Sequence, residues 1–333
     1  MLDSVIQFVA VPEVDPGYLD SVVEVARGFK DSLDFLGVPN ELVEFPMLNP
    51  SPFQVTPELA QFEGFLASGS RKKLLRMDGT MAKALVLCHS PGLLPYLDGL
   101  GVRAVQVMHT LPSFDMGSVG IVPYLTFAGS YLYPAPELHH DRTVPALHPD
   151  CVAFPQVVEP VAGPGPAWHE REFDFLWVGR NVARKKLEVF LKLVADLSAG
   201  PLPGLKAVVV TDDLKGAALP SCVSYIHGNA DRFYGISKVF VSTAYEECSP
   251  RTVVKAGLSG CHLVMPQTRW SVPFLQHHGM ALAVAEAEKC REMLRSPPTS
   301  AQRPWFLSHH SSRGGNLLTT LRTFLRNHGV QVT

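Results

Sequence analysis

At 333 residues the chain is longer than one hydrophobic core usually serves, so two domains are expected. Hydrophobic residues make up 46% and charged residues 18%, which excludes a disordered or highly charged chain. The formal net charge of −2 excludes an overall electrostatic attraction to nucleic acid or anionic lipid, while leaving room for a local basic patch.

Short apolar runs that alternate with amphipathic segments predict repeated β–α units in the first half of the chain. The third and fourth predicted strands end beside His89 and His109. Because ligands bind at the carboxyl ends of parallel strands, both imidazoles are expected to face a cleft. The predicted strands are 5–11, 41–45, 83–88 and 103–108, and the predicted helices are 18–36 and 57–67.

Six prolines and two glycines between residues 144 and 170 predict an irregular crossing between domains. After this stretch the β–α pattern restarts. The predicted strands are 173–178, 206–211, 223–227, 239–243 and 262–265, and the predicted helices are 185–197, 251–258, 291–295 and 315–327.

This alternation predicts an α/β protein of two doubly wound Rossmann-like domains that face a cleft. The expected divisions are 1–158 for an acceptor domain and 159–310 for a nucleotide-sugar donor domain. The segment 311–333 is expected to form a C-terminal helix that could pack back on the first domain.

The first candidate ligand site lies where the strand 173–178 meets the following helix. Gly179 and Arg180 follow the strand, and Lys185 stands at the start of the helix. A helix N-terminus attracts anions, so two cations beside it suit a diphosphate. The stretch resembles the strand, Gly-Arg, five residues, Lys-Gly, helix signature of retaining family 4 glycosyltransferases. The resemblance implies that Arg180 and Lys185 hold the phosphates of a donor, with Lys186 standing where the family has Gly.

A second stretch, 236–266, is similar to the Glu-containing strand–turn–helix segment of the same family. The resemblance implies that Glu247 contacts the donor sugar, with Glu246 as the alternative if the register slips by one. It also implies that the turn meets the diphosphate. The family's second glutamate, which holds the ribose hydroxyls, corresponds to Lys255, and a cation cannot accept those hydrogen bonds. The turn residues predicted to bind the donor are Ser249, Arg251 and Thr252.

Two catalytic candidates follow the strand 103–108. The stretch resembles a strand-then-His segment near the reacting sugar in enzymes of the two-Rossmann-domain type called GT-B. It is also similar to the strand-then-Asp segment of a phage DNA β-glucosyltransferase. His109 would polarise the donor sugar in a retaining enzyme or deprotonate the acceptor hydroxyl in an inverting one. Asp115 is the second candidate base.

Other polar clusters favour simpler interpretations. The histidine pairs at 139–140, 277–278 and 309–310 lack neighbouring metal ligands at a suitable spacing, so solvated loops are expected and a metal site is not. The basic run 71–76 indicates an exposed face or an acceptor-side patch. Six cysteines without a C-x-x-C pair are expected to be free thiols.

The resemblance therefore implies a metal-independent glycosyltransferase that needs no cofactor and uses a nucleotide diphosphate sugar as donor. The acceptor is open between a sugar, a lipid-linked glycan and a hydroxymethylated base in phage-type DNA. The alternatives are a nucleotide-sugar 2-epimerase and a non-catalytic sugar-nucleotide-binding protein. Because the sequence has neither a basic leader nor an uncharged apolar run of about 18 residues, we expect a cytoplasmic location and no transmembrane segment.

Overall fold

The computed structural model describes residues 2–12, 21–47, 84–90, 94, 97, 102, 104–107, 109, 130–133, 151–153, 157–159, 165–245, 247, 250–284 and 286–332. The chain divides into two compact units. One comprises Met1–Val157 with Ser311–Thr333, and the other comprises Val158–His310.

Strands and helices alternate along much of the described chain. The strands are β1 (Ser4–Pro12), β2 (Asn40–Met47), β3 (Ala84–Cys88), β4 (Val105–Val107), β5 (Ser130–Tyr133), β6 (Cys151–Ala153), β7 (Phe173–Val178), β8 (Ala207–Val210), β9 (Val223–Ile226), β10 (Ser237–Val241), β11 (His262–Met265) and β12 (Gly279–Ala281). The α-helices are α1 (Ser21–Phe35), α2 (Leu187–Ala199), α3 (Asp231–Gly235), α4 (Arg251–Leu258), α5 (Val272–His277), α6 (Ala287–Arg295), α7 (Gln302–His310) and α8 (Gly315–Asn327).

The first unit is built on a parallel sheet with the strand order β2-β1-β3-β4-β5-β6. The chain leaves β1 for one neighbour, β2, and returns on the other side as β3. Such a reversal opens a crevice at the carboxyl ends of the two central strands, which is where doubly wound sheets bind ligands. In this unit the crevice lies at the ends of β1 and β3.

Helices α1 and α8 bury their apolar faces against the first sheet. Phe29 and Leu33 of α1 share a buried cluster with Leu321 and Phe324 of α8. Each such side chain contributes about 1.5–3 kcal/mol when it is fully buried. Helix α1 ends at Phe35, and the turn that follows contains Gly37, whose φ of 66° is a conformation that glycine adopts without steric cost. The last helix of the chain is therefore part of the core of the first unit.

The second unit is built on a parallel sheet with the strand order β12-β11-β10-β7-β8-β9. Numbered from β7, this is the 3-2-1-4-5-6 order of the nucleotide-binding Rossmann fold, read from the opposite edge. Its reversal lies between β7 and β10, which pair in parallel. The carboxyl ends of β7 and β10 therefore form the expected ligand site of this unit.

Both faces of the second sheet are covered by helices. Alternate strand residues enter two separate buried clusters, because successive side chains of a strand point to opposite faces. One cluster includes Phe240 with residues of α4 and α7, and the other includes Phe175 with residues of α2 and α6. Helices α4 and α7 approach closely at Gly257, where an added Cβ would collide with the ring of Phe306.

The α/β alternation predicted from the sequence is confirmed, and the strand Phe173–Val178 and the helices Arg251–Leu258 and Gly315–Asn327 have the predicted bounds. The stretch 144–170 was wrongly predicted to be irregular, because it contains β6. This strand has three residues and pairs with β5 at the edge of the sheet, where neighbouring prolines are tolerated. Strands β5 and β12 and helices α3, α5 and α7 were not predicted. The predicted helix 57–67 lies outside the described residues.

Helix α7 was missed because Pro304 lies within it. The proline stands in the first turn of the helix, where a backbone N–H has no intrahelical partner to lose. Within the described residues, no helix combines the length and apolar character that crossing a membrane would require.

Candidate functional site

Two loops meet at the carboxyl ends of β7 and β10 in the second unit. One begins at Gly179, and the other begins at Ser242 and carries Thr243. The indole Nε1 of Trp177 donates to Thr243 Oγ1 at 3.0 Å, and Thr243 Oγ1 donates to the carbonyl of Lys185 at 2.6 Å. The Tyr245 amide donates to the carbonyl of Arg184 at 3.2 Å. These bonds fix the two loops to one another at the predicted ligand site.

A buried carboxylate, Glu247, lies at the centre of this arrangement. Its side chain is 8% exposed and forms ion pairs with Arg184, at 3.2 Å, and with Lys185. Both cations come from the short 3-10 turn Ala183–Lys185. A buried carboxylate is costly unless it is paired and hydrogen-bonded, so the two cations stabilise Glu247 in this position.

Among the described residues of these two loops, positive charges outnumber negative ones. Arg184 and Lys185 together exceed the single charge of Glu247, and Arg180 adds a third cation. Arg180 is exposed, and its side chain makes no hydrogen bond or ion pair with any residue that the structure describes. An exposed guanidinium that follows the end of β7 is suited to bind a mobile anion.

Helix α4 adds backbone amides to the same loops. It begins at Arg251 without a side-chain cap, and its first backbone bond runs from the Val254 amide to the Pro250 carbonyl at 3.1 Å. The amides that precede Val254 are at the positive end of the helix, where anions are favoured. Arg251 and Thr252 are half-buried there. Ser249, also predicted to bind the donor, lies outside the described residues.

Lys186 takes up the backbone conformation of a glycine. Its φ and ψ are both 51°, in the left-handed region. An L-residue pays about 1 kcal/mol or more for this conformation, and that cost explains why the resembling family has Gly at this position. The turn between β7 and α2 therefore holds Lys186 in a conformation that glycine adopts without steric cost.

Lys255, at the position of the family's second glutamate, is paired with a carboxylate from another element. Its Nζ lies 2.9 Å from Oδ1 of Asp231, the first residue of α3. The Lys255 side chain is 15% exposed and that of Asp231 is 45% exposed. The pair therefore presents an accessible carboxylate oxygen next to α4, although position 255 itself carries a cation.

In the first unit, three polar side chains form a hydrogen-bonded chain that runs from the middle of β1 to the residues that follow β3 and β4. His89 Nε2 lies 3.0 Å from Gln7 Oε1, and His89 Nδ1 lies 3.1 Å from His109 Nε2. Gln7 and His89 are fully buried, whereas His109 is half-buried. Burial lowers the pKa of His89 to about 3. Asp115 lies outside the described residues.

Sequence reasoning missed Gln7, Arg184 and Thr243. Gln7 could have been noticed as the one strongly polar side chain within the apolar run of β1. Arg184 belongs to the visible run Arg184–Lys185–Lys186. Nothing in the sequence distinguishes Thr243 from other residues that follow strands.

The histidine pairs at 277–278 and 309–310 were wrongly predicted to lie in solvated loops. His277 ends α5, and His309 and His310 end α7. His309 stacks on Trp305 with ring centroids 4.3 Å apart, and His277 and His278 approach the same ring at 5.3 Å. Burial, and then the charges of His277 and His309, lower the pKa of His278.

The described part of the chain contains neither a metal-binding cluster nor a disulfide. Among its residues, no group of three or more His, Cys, Asp or Glu side chains could hold a metal ion. The described cysteines Cys88, Cys222, Cys261 and Cys290 are free.

No protein-family model matches the sequence, and no curated protein matches it either. Solved structures resemble the whole chain at low sequence identity. Sucrose-phosphate synthase from Thermosynechococcus elongatus aligns with a TM-score of 0.69 and 12% identity over 98% of this chain and 99% of that one. AviGT4, a glycosyltransferase of avilamycin A biosynthesis, aligns with a TM-score of 0.60 and 16% identity over 98% and 97% of the two chains.

HepE from Anabaena, solved in complex with UDP, aligns with a TM-score of 0.61 and 12% identity over 97% of this chain and 100% of that one. Identities this low establish the fold and leave the activity open. The chain has the two doubly wound α/β units of GT-B glycosyltransferases.

Proposed function

We propose that this protein is a glycosyltransferase that transfers a sugar from a nucleotide diphosphate sugar to a hydroxyl group of an acceptor. The observation that carries the proposal is the cluster of Arg180, Arg184 and Lys185 at the carboxyl ends of β7 and β10, beside the uncapped α4. Similar folds among glycosyltransferases, one of them solved with UDP, support the same conclusion.

In this proposal the diphosphate lies between Arg180, Lys185 and the first amides of α4, near Arg251 and Thr252. When the bond between the anomeric carbon and the diphosphate oxygen breaks, negative charge grows on the diphosphate. Cations and helix amides that are already in place stabilise this charge, and this is the main electrostatic contribution to catalysis. These groups make the reaction independent of a divalent metal.

Glu247 has two roles in the proposed reaction. Before the donor binds, it forms ion pairs with Arg184 and Lys185 and so holds the turn Ala183–Lys185 in place. With the donor bound, the diphosphate shares these cations, and the carboxylate accepts hydrogen bonds from hydroxyl groups of the donor sugar. The new bond forms from the acceptor oxygen to the anomeric carbon, and the acceptor proton passes to a base, for which His109 and Asp115 are the candidates.

The ribose of the donor also requires an acceptor of hydrogen bonds. Lys255 cannot supply one, but Asp231 can, because one of its carboxylate oxygens is held by Lys255 and the side chain is half exposed. We therefore assign to Asp231 the ribose contact that position 255 makes in the resembling family.

The proposal is tested by nucleotide binding. A thermal-shift screen of nucleoside diphosphates and their sugars identifies the donor, because a ligand at a hundred times its Kd stabilises the protein by about 2.7 kcal/mol. Titration calorimetry then compares the wild type with Arg180→Ala. Since hydrogen bonds to charged groups contribute about 1.5–3 kcal/mol, affinity should fall about tenfold or more.

The matched control is Lys192→Ala on α2, which removes an exposed lysine paired with Asp196 on the same helix. This control should bind the nucleotide as the wild type does. Equal affinity of Arg180→Ala and the wild type would remove the assignment of the diphosphate site.

The same preparation separates the remaining alternatives. A change of configuration at C2 of the donor sugar without an acceptor would indicate a 2-epimerase. Tight binding of the donor without turnover over a broad acceptor panel would indicate a non-catalytic binding protein. The similar solved structures lend no support to a DNA acceptor.

A further inference from the structure

Three side chains that are far apart in the sequence form one continuous hydrogen-bonded chain inside the first unit. Gln7 comes from β1, His89 directly follows β3, and His109 follows β4. The contacts are 3.0 Å between Gln7 Oε1 and His89 Nε2, and 3.1 Å between His89 Nδ1 and His109 Nε2. From these contacts we infer that Gln7 and His89 are positioning residues that fix the proton of His109 on Nε2, so that His109 exchanges protons with a substrate through Nδ1.

Gln7 determines which atom donates and which accepts in each of these hydrogen bonds. The amide oxygen of Gln7 only accepts hydrogen bonds, so Nε2 of His89 must carry a proton. A neutral imidazole has a single N–H, and Nδ1 of His89 therefore accepts. His109 must then donate from Nε2, and the lone pair of neutral His109 lies on Nδ1. Each proton position is thus determined by its neighbour.

This argument requires His89 to be neutral, and its surroundings ensure this. The side chain is 1% exposed, and Phe29 packs edge-on against its ring at 5.7 Å. Burial lowers the pKa of His89 to about 3. The two residues next to His89 in the sequence add no charge, because Ser90 is not ionisable and burial raises the pKa of the Cys88 thiol to about 12. His89 therefore stays neutral, donates a hydrogen bond to Gln7 from Nε2 and accepts one from His109 at Nδ1.

The backbone also holds His89 in place. Its amide donates to the carbonyl of Phe8 in β1 at 2.8 Å, which continues the β1–β3 ladder one residue beyond β3. This hydrogen-bonded chain, the relay, therefore joins Gln7 in the middle of β1 to the residues that follow β3 and β4, and the strand order of this sheet reverses between β1 and β3. A fully buried polar chain that emerges at a half-buried imidazole there is suited to orient a catalytic group.

The chemical consequence rests on the proposed function. In a transferase, the acceptor hydroxyl would give its proton to Nδ1 of His109, while Nε2 keeps its proton and its bond to His89. As the acceptor oxygen bonds to the anomeric carbon, the bond from that carbon to the diphosphate breaks, and the leaving diphosphate carries the negative charge that balances the imidazolium. In a retaining enzyme the same fixed orientation would position His109 toward the donor sugar.

The tautomers can be measured without any activity assay. In the full-length protein labelled with 15N-histidine, long-range 1H–15N correlation spectra report which nitrogen of each imidazole carries the proton. The variants His89→Gln and His109→Gln identify the two signals by their disappearance. We expect His89 to remain the neutral Nε2–H tautomer from pH 5 to pH 9, and neutral His109 to be the Nε2–H tautomer as well.

A variant of Gln7 tests whether this residue fixes the tautomer of His109. Gln7→Met keeps the side-chain length but removes the amide oxygen, so His109 should become a mixture of tautomers. Gln106→Met is the matched control, because Gln106 is a buried glutamine of β4 that donates to the Val107 carbonyl and lies outside the relay. It should leave the His109 tautomer unchanged.

Two results would overturn the inference: an Nδ1–H tautomer for neutral His109 in the wild type, or titration of His89 between pH 5 and pH 9. The first would mean that Gln7 donates to His89 with its amide nitrogen, which is buried and unpartnered among the described residues as the side chain is placed. The wild-type spectra decide the matter even if Gln7→Met fails to fold. Nucleotide binding is measured separately, so failure of the relay and failure of the proposed function remain distinguishable.

Discussion

Acid should destabilise the first unit through His89. An unfolded histidine has a pKa of about 6.5, whereas burial lowers that of folded His89 to about 3. Above pH 7 both states are neutral and the residue contributes nothing to the pH dependence. Between pH 6.5 and pH 3 only the unfolded state takes up the proton, so the free energy of unfolding falls by about 1.4 kcal/mol per pH unit. At pH 5 the loss should be about 2 kcal/mol relative to pH 8.

The measurement must report on the first unit. All four tryptophans lie in the second unit, so tryptophan fluorescence is unsuitable. Hydrogen–deuterium exchange of peptides that cover β1 and β3 gives the local free energy of opening at pH 8 and pH 5, after correction for the intrinsic exchange rate. The loss of stability between these pH values should be about 2 kcal/mol smaller in His89→Gln than in the wild type.

The control is Gln106→Met, which replaces a buried side chain of β4 in the same unit that is not ionisable. It should retain the wild-type dependence on pH. If His89→Gln loses as much stability between pH 8 and pH 5 as the wild type does, then burial does not keep His89 neutral. The proton positions inferred for His89 and His109 would then be unsupported, because they require a neutral His89.

Two further predictions concern the second unit. Lys186→Gly should raise the free energy of unfolding in urea by up to about 1 kcal/mol, because glycine adopts the left-handed conformation of this turn without steric cost; a lower stability would contradict the proposed strain. Asp231→Ala, which removes both acceptor oxygens, should weaken binding of the nucleoside diphosphate about tenfold and abolish any preference over its 2′-deoxy analogue in titration calorimetry. A preference for ribose that survives in Asp231→Ala would exclude the ribose contact.

Much of the α/β architecture could be predicted from local patterns. Largely apolar runs such as 173–178 and 262–265 predict buried parallel strands, and an amphipathic period predicts helices such as 251–258. These patterns are informative because a helix that buries one face, or a strand that is buried, requires apolar residues at fixed, short spacings along the sequence. Elements with weak local signals were missed, among them the three-residue edge strand β6 and helix α7 with its early proline.

Only part of the candidate site could be predicted from such local patterns. The cations Arg180 and Lys185 stand beside a strand end and a helix start, so short-range spacing sufficed to single them out as phosphate ligands. The ion pairs of Arg184 and Lys185 with Glu247 span 63 and 62 positions, and the bond between Gln7 and His89 spans 82. No pattern in a single sequence records contacts over such distances.

The sequence by itself thus determined the α/β class, most of the strands and the residue types suited to a diphosphate. The tertiary structure decided that Glu247 forms ion pairs with Arg184 and Lys185, that Lys255 pairs with Asp231, and that His89 and His109 join Gln7 in one hydrogen-bonded chain. The physical reason is that local propensity fixes each strand and helix separately. The order in which the strands pair, which packing over the whole core selects, decides which strand ends become neighbours.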